Sequence, residues 1–141
     1  MAITQAVCKS FRSEYLKGTH ALETDTLKCA LYTSSASLDA DTTAYSATNE
    51  VSGTGYTAGG VAMTNVAVTL DGTGVIFDAD DPTWTGSTIT ARGALIYNSS
   101  KSNRAILVLD FSADRSSDNG EFRVELPAAD ISNALYRIVP A

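Results

Sequence analysis

Short segments in which apolar and polar residues alternate recur along this chain, and they constrain its fold more than any other feature. The clearest is EFRVELP, where Phe122, Val124 and Leu126 alternate with charged residues. Because successive side chains of a strand point to opposite faces, this pattern predicts a strand with one buried face. Six further segments read as strands: 27–32, 61–70, 74–80, 88–100, 103–112 and 135–140.

Turn signals separate several of these segments. Asp71-Gly72 predicts a turn, and Asn119-Gly120 is a strong signal for a hairpin. Gly93 lies inside one predicted strand, where glycine suggests a bulge or a close backbone approach. Segment 103–112 is apolar on both faces, which predicts a central strand. We therefore expect about seven strands.

The first 18 residues follow a different period. Ile3, Val7, Phe11 and Tyr15 recur at every fourth position, which is the spacing of one face of a helix. A glycine at position 18 is typical of a helix end. The sequence predicts a single domain over 1–141, with a helix over 1–18 and a β-body over 26–141. The expected class is mostly β: an antiparallel β-sandwich or barrel with an N-terminal α-helix.

A long polar loop is predicted at 34–60, inside the β-body. Loops of this length are uncommon in compact domains and are often functional. The loop ends in NEVSGTGYTAGG at 49–60, which contains four glycines. Gly53, Gly55 and Gly59 come within one residue of a dinucleotide-binding fingerprint. However, the following segment alternates like a strand, whereas that fingerprint requires a helix.

The distribution of charge excludes several classes of partner. The chain has 141 residues with 16 Asp and Glu against 10 Lys and Arg, for a net charge of −6. No cation lies between Lys28 and Arg92, so nothing beside the glycines neutralises a phosphate. Nucleic acids and anionic membranes both attract basic surfaces, so we expect neither as a partner.

The N-terminus lacks the basic and apolar regions of a signal peptide, and no apolar stretch is long enough to span a bilayer. These features predict assembly in the cytoplasm. Cys8 and Cys29 lie in apolar patterns, so we expect two buried, reduced thiols rather than a disulfide.

Catalytic and metal-binding patterns are weak. His20 is the only histidine, and its place after the predicted helix suggests a surface or capping residue. Any catalytic triad would have to use it. Two carboxylate clusters, LDADTT at 38–43 and FDADDPTW at 77–84, lack the glycine and distal glutamate of an EF-hand loop. We interpret them as solvated turns and expect no enzymatic activity, metal or other cofactor.

Four segments taken in order resemble small virion structural proteins of tailed bacteriophages. The first is NEVSGTGYTAGG itself, and TLKCALYTSSASLDADTTAYS precedes it at 26–46. TWTGSTITARGALIYNSSKSNRAILVLDF at 83–111 is similar to the central strands of those proteins, and DNGEFRVELPAA at 118–129 is similar to their late hairpin. The resemblance covers most of the chain, and its specificity lies in the ordered set.

The resemblance implies a non-enzymatic role, most concretely as a capsid decoration or cement protein. Such a protein binds the outer surface of the shell, as a homo-oligomer with a trimer favoured, and braces the major capsid protein against the pressure of packaged DNA. The expected location is the virion, after assembly in the bacterial host cytoplasm. A tail or head–tail connector component is the alternative within this class.

The loop at 34–60 is the expected contact with the partner. We predict partner binding by Tyr45, Val51, Gly53, Gly55 and Tyr56, because aromatic anchors dominate interface energetics and an extended loop can add backbone hydrogen bonds. The competing interpretation is that the loop folds back over its own sheet.

A glycan-binding β-sandwich for host attachment is the alternative from another class. It depends on Trp84, which follows two carboxylates in DDPTWTG and is predicted to be exposed.

Overall fold

The computed structural model describes residues 2–127 and 134–138 of the chain. Within these residues the protein is mostly β, with two antiparallel sheets arranged as a sandwich rather than a closed barrel. In chain order the elements are β1 (Ala6–Val7), α1 (Lys9–Leu16), β2 (Leu27–Tyr32), β3 (Val61–Ala62), β4 (Ala67–Asp71), β5 (Gly74–Asp78), β6 (Thr83–Asn98), β7 (Arg104–Arg123) and β8 (Tyr136–Ile138). The predicted fold class is confirmed.

The larger sheet has the order β1-β7-β6-β2-β3, and the smaller has the order β4-β5-β8. The centre of the larger sheet is formed by β6 and β7, which pair as a long hairpin with Leu95 opposite Val108 and Ile96 opposite Leu107. These four side chains are buried. The prediction of a central strand at 103–112 is therefore confirmed, because β7 lies between β1 and β6.

Gly93 marks a close approach within this hairpin, as predicted. The register of β6 and β7 shifts between Ala91 and Gly93. A Cβ atom at Gly93 would lie 2.6 Å from the carbonyl oxygen of Leu109, closer than real Cβ contacts. Glycine is therefore required at this position by the packing of two backbones.

An N-terminal helix is present, as predicted, but it is shorter than the predicted helix over 1–18. The α-helix covers only Lys9–Leu16, whereas Ala6–Val7 pairs with β7 and Ile3 forms a parallel bridge with Leu38. A spacing of four residues places side chains on one face of a helix, yet β-branched residues are also favoured at a sheet. Pairing with the edge of β7 therefore decides the conformation before Cys8.

The prediction of a hairpin at Asn119-Gly120 is wrong, because β7 continues through both residues to Arg123. Asn119 does adopt a left-handed conformation, with φ 50°, and Gly120 lies opposite Ser87 beside two shifts of register. The same local conformation that closes a hairpin turn is used for an irregularity within a long strand. The pairing with β6, which extends to Thr83, makes this choice.

One other segment differs from the prediction. The segment 61–70 divides between the sheets, since β3 pairs with β2 and β4 pairs with β5. The end of the last predicted strand, at 139–140, lies outside the described residues.

Candidate interaction surfaces

The long loop at 34–60 is folded onto the larger sheet. The amide of Val51 donates to the carbonyl of Leu31 (2.9 Å), and the amide of Thr33 donates to the carbonyl of Asn49 (3.0 Å). Isolated bridges join Ala44 to Arg104 and Thr54 to Thr88. Backbone groups of the loop thus form hydrogen bonds with β2, β6 and the start of β7. This arrangement corresponds to the competing interpretation, in which the loop covers its own sheet.

Glu50 stabilises the folded loop through three hydrogen bonds. Its carboxylate accepts hydrogen bonds from the hydroxyls of Tyr45 and Tyr56, both at 2.6 Å, and from the amide of Gly59 at 2.8 Å. The pKa values of Tyr45 and Tyr56 are raised mainly by burial and, as the second cause, by the hydrogen bond to this carboxylate. Both phenols therefore remain protonated donors. Charge-assisted bonds of this kind are stronger than bonds between neutral groups.

Aromatic rings add to this attachment. Tyr45 stacks on Tyr97 with ring centroids 4.7 Å apart, and Tyr56 stacks on Trp84 at 5.9 Å. The hydroxyl of Tyr97 donates to the carbonyl of Gly59 (2.7 Å), and the hydroxyl of Tyr56 accepts from the amide of Leu31 (2.9 Å). Each predicted aromatic anchor is thus paired with a ring of the chain's own sheet.

Three of the four glycines of this segment are required by close contact with neighbouring backbones. A Cβ atom at Gly53 would lie 2.6 Å from the carbonyl oxygen of Thr88, and one at Gly55 would lie 2.8 Å from the Cα of Ser87. At Gly60 a Cβ atom would overlap the carbonyl group of Cys29. The glycine-rich composition therefore allows the loop to lie directly against β6 and β2.

The five residues predicted to bind a partner occupy different environments. Val51 is buried, Tyr45 and Tyr56 are half-buried, and Gly53 and Gly55 are exposed. Of these five residues only the two glycines are exposed in the free protein, while the larger side chains contact their own sheet. The role of these residues in partner binding stays a prediction.

The sequence interpretation missed Glu50, the residue that organises this region. A carboxylate five residues from one tyrosine and six from another is an ordinary spacing in a loop. Only the fold brings both phenols to the same carboxylate.

His20 lies in a buried polar network, so the prediction of a surface or capping histidine is wrong. Its side chain has no solvent exposure. Asn98 donates through Nδ2 to Asp25 (2.8 Å) and to Nδ1 of His20 (3.0 Å). The remaining Nε2–H of His20 donates to Glu14 (3.0 Å). Both ring nitrogens are therefore engaged in hydrogen bonds within the chain.

The two carboxylates of this network are held in their charged form. Burial opposes ionisation of Glu14, but hydrogen bonds from His20 and from Arg104 (2.7 Å) lower its pKa below the ordinary value of 4.5. Burial likewise opposes ionisation of Asp25, but hydrogen bonds from Asn98 and a backbone amide lower its pKa below 3.8. The network joins the end of α1 to the ends of β6 and β7.

The cysteines match their prediction. Cys8 and Cys29 are free and fully buried. Burial raises the pKa of Cys8 to about 11 and that of Cys29 to about 12, so neither thiol is activated as a nucleophile.

Carboxylates of both predicted clusters form hydrogen bonds or ion pairs with other segments of the chain. Asp80 accepts hydrogen bonds from side chains of the 64–65 turn, and Asp81 accepts one from the amide of Leu126. Asp39 accepts one from the amide of Asp41, whose own carboxylate pairs with Lys9. No group of three His, Cys, Asp or Glu side chains suited to a metal occurs in residues 2–127 and 134–138.

The prediction that Trp84 is exposed is wrong. Its side chain packs between Tyr56 and Phe122, and only 3% of the residue is accessible to solvent. The tryptophan belongs to the core because β6 begins at Thr83, which turns the next side chain inward. The glycan-binding interpretation therefore loses the aromatic platform on which it depended.

The smaller sheet has an apolar face that is only partly covered. Register places Val68 beside Phe77 and Tyr136, and it places Leu70 beside Val75 and Ile138. All six side chains lie on one face, since paired residues of antiparallel strands point the same way. The inner row packs against α1, with the rings of Phe11 and Tyr136 5.7 Å apart. The outer row is exposed at Leu70 and Ile138.

A cavity of about 330 Å³ opens beside this face. Its lining includes the rings of Phe11, Tyr15 and Tyr136 and the aliphatic side chains of Leu22 and Val75. Leu70 stands outside the cavity on the same face of the sheet.

Comparisons with models of known protein families, with characterised proteins and with solved structures found no match. Within the part of the chain that the structure describes, no helix has the length and apolar character needed to cross a bilayer.

Proposed function

We propose that this chain is a non-enzymatic structural protein of the virion of a tailed bacteriophage, and specifically a capsid decoration or cement protein. The resemblance of four ordered segments, 26–46, 49–60, 83–111 and 118–129, supports this class. The observation that carries the proposal is a contrast between the interior and the surface. The histidine and Glu50 are engaged in internal hydrogen bonds and the cysteines are buried, whereas large apolar side chains of the smaller sheet face solvent.

That contrast suits a subunit that assembles with other subunits. A brace on a shell under pressure must resist deformation, and the loop at 34–60 is fastened to its sheet by hydrogen bonds, stacked rings and close backbone contacts. Exposed apolar surface on a small protein indicates an interaction site more often than chance. The partners in this proposal are further copies of the chain, with a trimer favoured, and the major capsid protein.

The acidic charge is consistent with a place outside the shell. A net charge of −6 disfavours adhesion to the packaged genome or to host nucleic acid. Assembly would take place in the bacterial host cytoplasm, where buried reduced thiols such as Cys8 and Cys29 are stable.

The test is binding to expanded empty capsids. The purified protein should cosediment with the capsids and raise their melting temperature, since a ligand that binds only the assembled state stabilises it. Unexpanded shells and an unrelated acidic β-protein serve as controls. Failure to bind expanded capsids would refute the decoration function.

Copy number separates this function from the alternative of a tail or head–tail connector component. A decoration protein covers the shell and should be present in hundreds of copies, whereas a connector is confined to one vertex and is present in a handful. Quantitative gel densitometry of purified particles, calibrated on the major capsid protein, measures this ratio directly.

A further inference from the structure

The apolar face of the smaller sheet carries a projecting side chain and a cavity side by side. Leu70 is 82% exposed, at the edge strand β4. The cavity lies on the same face and reaches β4 itself at Val68, while Val75 and Phe77 of β5 and Tyr136 and Ile138 of β8 line it further across the sheet.

The cavity is large enough for a leucine side chain. An apolar cavity of about 150 Å³ accommodates benzene. The cavity beside α1 has a volume of about 330 Å³ and is lined mainly by aromatic and aliphatic side chains. A four-carbon side chain therefore fits with room for the adjoining β4 backbone to approach.

The shape of this face favours a second copy of this chain as the occupant, because the projecting Leu70 and the cavity lie on the same apolar surface. Copies with a net charge of −6 repel each other, so they can approach only where the surface is poor in charge. Among the described residues that line the cavity, Glu23 is the one acidic residue, and its carboxylate accepts a hydrogen bond from the amide of Val68 (3.1 Å). None of these described lining residues is Lys or Arg, so this part of the surface offers nothing to a highly charged partner.

We propose that this chain self-associates through the apolar face of β4, β5 and β8, with Leu70 of each copy seated in the cavity of a neighbouring copy. A surface that contains both the projection and its receptor is self-complementary, and it gives a closed dimer when the contact is reciprocal or a ring when the rotation between copies closes. The contact supplies the subunit interface of the homo-oligomer in the proposed function. It is tested on the protein alone, so its failure is distinguishable from failure to bind capsids.

The experiment is sedimentation velocity of the full chain over a series of concentrations from low micromolar to submillimolar. The wild type should shift from monomer to a dimer or trimer. Leu70→Asp should weaken the association at least about 30-fold, because burial of a leucine is lost and a carboxylate is forced into an apolar site. Val75→Trp changes the receptor side of the contact. The larger side chain fills the cavity that would receive Leu70, so this variant should also associate more weakly.

Leu16→Asp is the matched control. Leu16 is 80% exposed but lies on α1 and is not among the residues that line the cavity, so this variant should associate like the wild type. Melting temperatures of dilute, monomeric samples establish that each variant is folded.

Three results would overturn the proposal. They are a wild type that stays monomeric throughout the series, a Leu70→Asp variant that associates normally, and an equal loss in Leu16→Asp and Leu70→Asp.

Discussion

Replacing Glu50 by glutamine tests whether the loop at 34–60 is held by the carboxylate. In the folded protein this side chain accepts three hydrogen bonds, from two tyrosine hydroxyls and the amide of Gly59. The amide of glutamine retains one acceptor oxygen. Its NH₂ group presents donors to groups that are themselves donors. We therefore expect Glu50→Gln to loosen the loop without altering the sheet beneath it.

The magnitude follows from the number and type of bonds. A hydrogen bond to a charged group contributes about 1.5–3 kcal/mol, and a neutral one contributes about 0.5–1.5 kcal/mol. Converting two bonds to neutral ones removes about 2–3 kcal/mol and losing the third removes about 1.5–3 kcal/mol, so the free energy of unfolding should fall by about 3.5–6 kcal/mol. Taking about 2–4 °C per kcal/mol for a domain somewhat larger than this one, the melting temperature should fall by about 7–24 °C.

The assay compares urea and thermal unfolding of the wild type, Glu50→Gln and Glu125→Gln. Glu125 is a suitable control because its side chain is 81% exposed and its contact with Arg123 is 3.8 Å long. Exposed pairs of this kind contribute about 0–1 kcal/mol. Amide hydrogen exchange should accelerate at Val51 and Gly59 in Glu50→Gln but stay slow at Leu95.

One result would refute this reasoning. If Glu50→Gln is as stable as Glu125→Gln and its loop amides exchange as slowly as those of the wild type, the carboxylate does not hold the loop. Packing of the rings on the sheet would then be sufficient.

Three further predictions follow from the interior of the protein. Trp84→Ala should lower the free energy of unfolding by about 3–5 kcal/mol in urea unfolding, because it empties a core site; a stability within 1 kcal/mol of the wild type would contradict its burial. Neither Cys8 nor Cys29 should react with a thiol reagent until the protein is denatured, since burial raises both pKa values; rapid labelling of the native protein would show a more open fold. The lowered pKa values of Glu14 and Asp25 contribute stability that is fully present above their unfolded values of 4.5 and 3.8 and is lost as the pH falls through the lower folded values. Urea midpoints measured between pH 7 and 3 should therefore fall mainly below about pH 4, and less steeply in Glu14→Gln.

The fold class could be predicted from local patterns because strands depend on the side chain at every second position. Segment 27–32 alternates in this way, and it became β2 with little change. Gly93 was informative for the same reason, since a glycine within a strand is costly unless another backbone approaches it. Buried thiols were also predictable, because Cys8 and Cys29 lie within apolar patterns.

The candidate site was less accessible to sequence reasoning because its residues acquire their roles from distant partners. Glu50 meets Tyr45 and Tyr56 only because the loop closes over β6. Trp84 is buried because the same loop places Tyr56 on one side of it and the register of β6 and β7 places Phe122 on the other. Neither relation is visible in the local pattern of the chain.

The sequence by itself determined that this protein is built from strands, that it is acidic and that its thiols are buried. These properties depend on residue type and on spacing of a few positions. Only the tertiary structure decided that Asn119-Gly120 continues a strand, that His20 is enclosed, and that Leu70 projects beside a cavity. In each case the outcome depends on a free-energy balance between segments far apart in the chain, and a pairing register or a shared carboxylate outweighs the local preference.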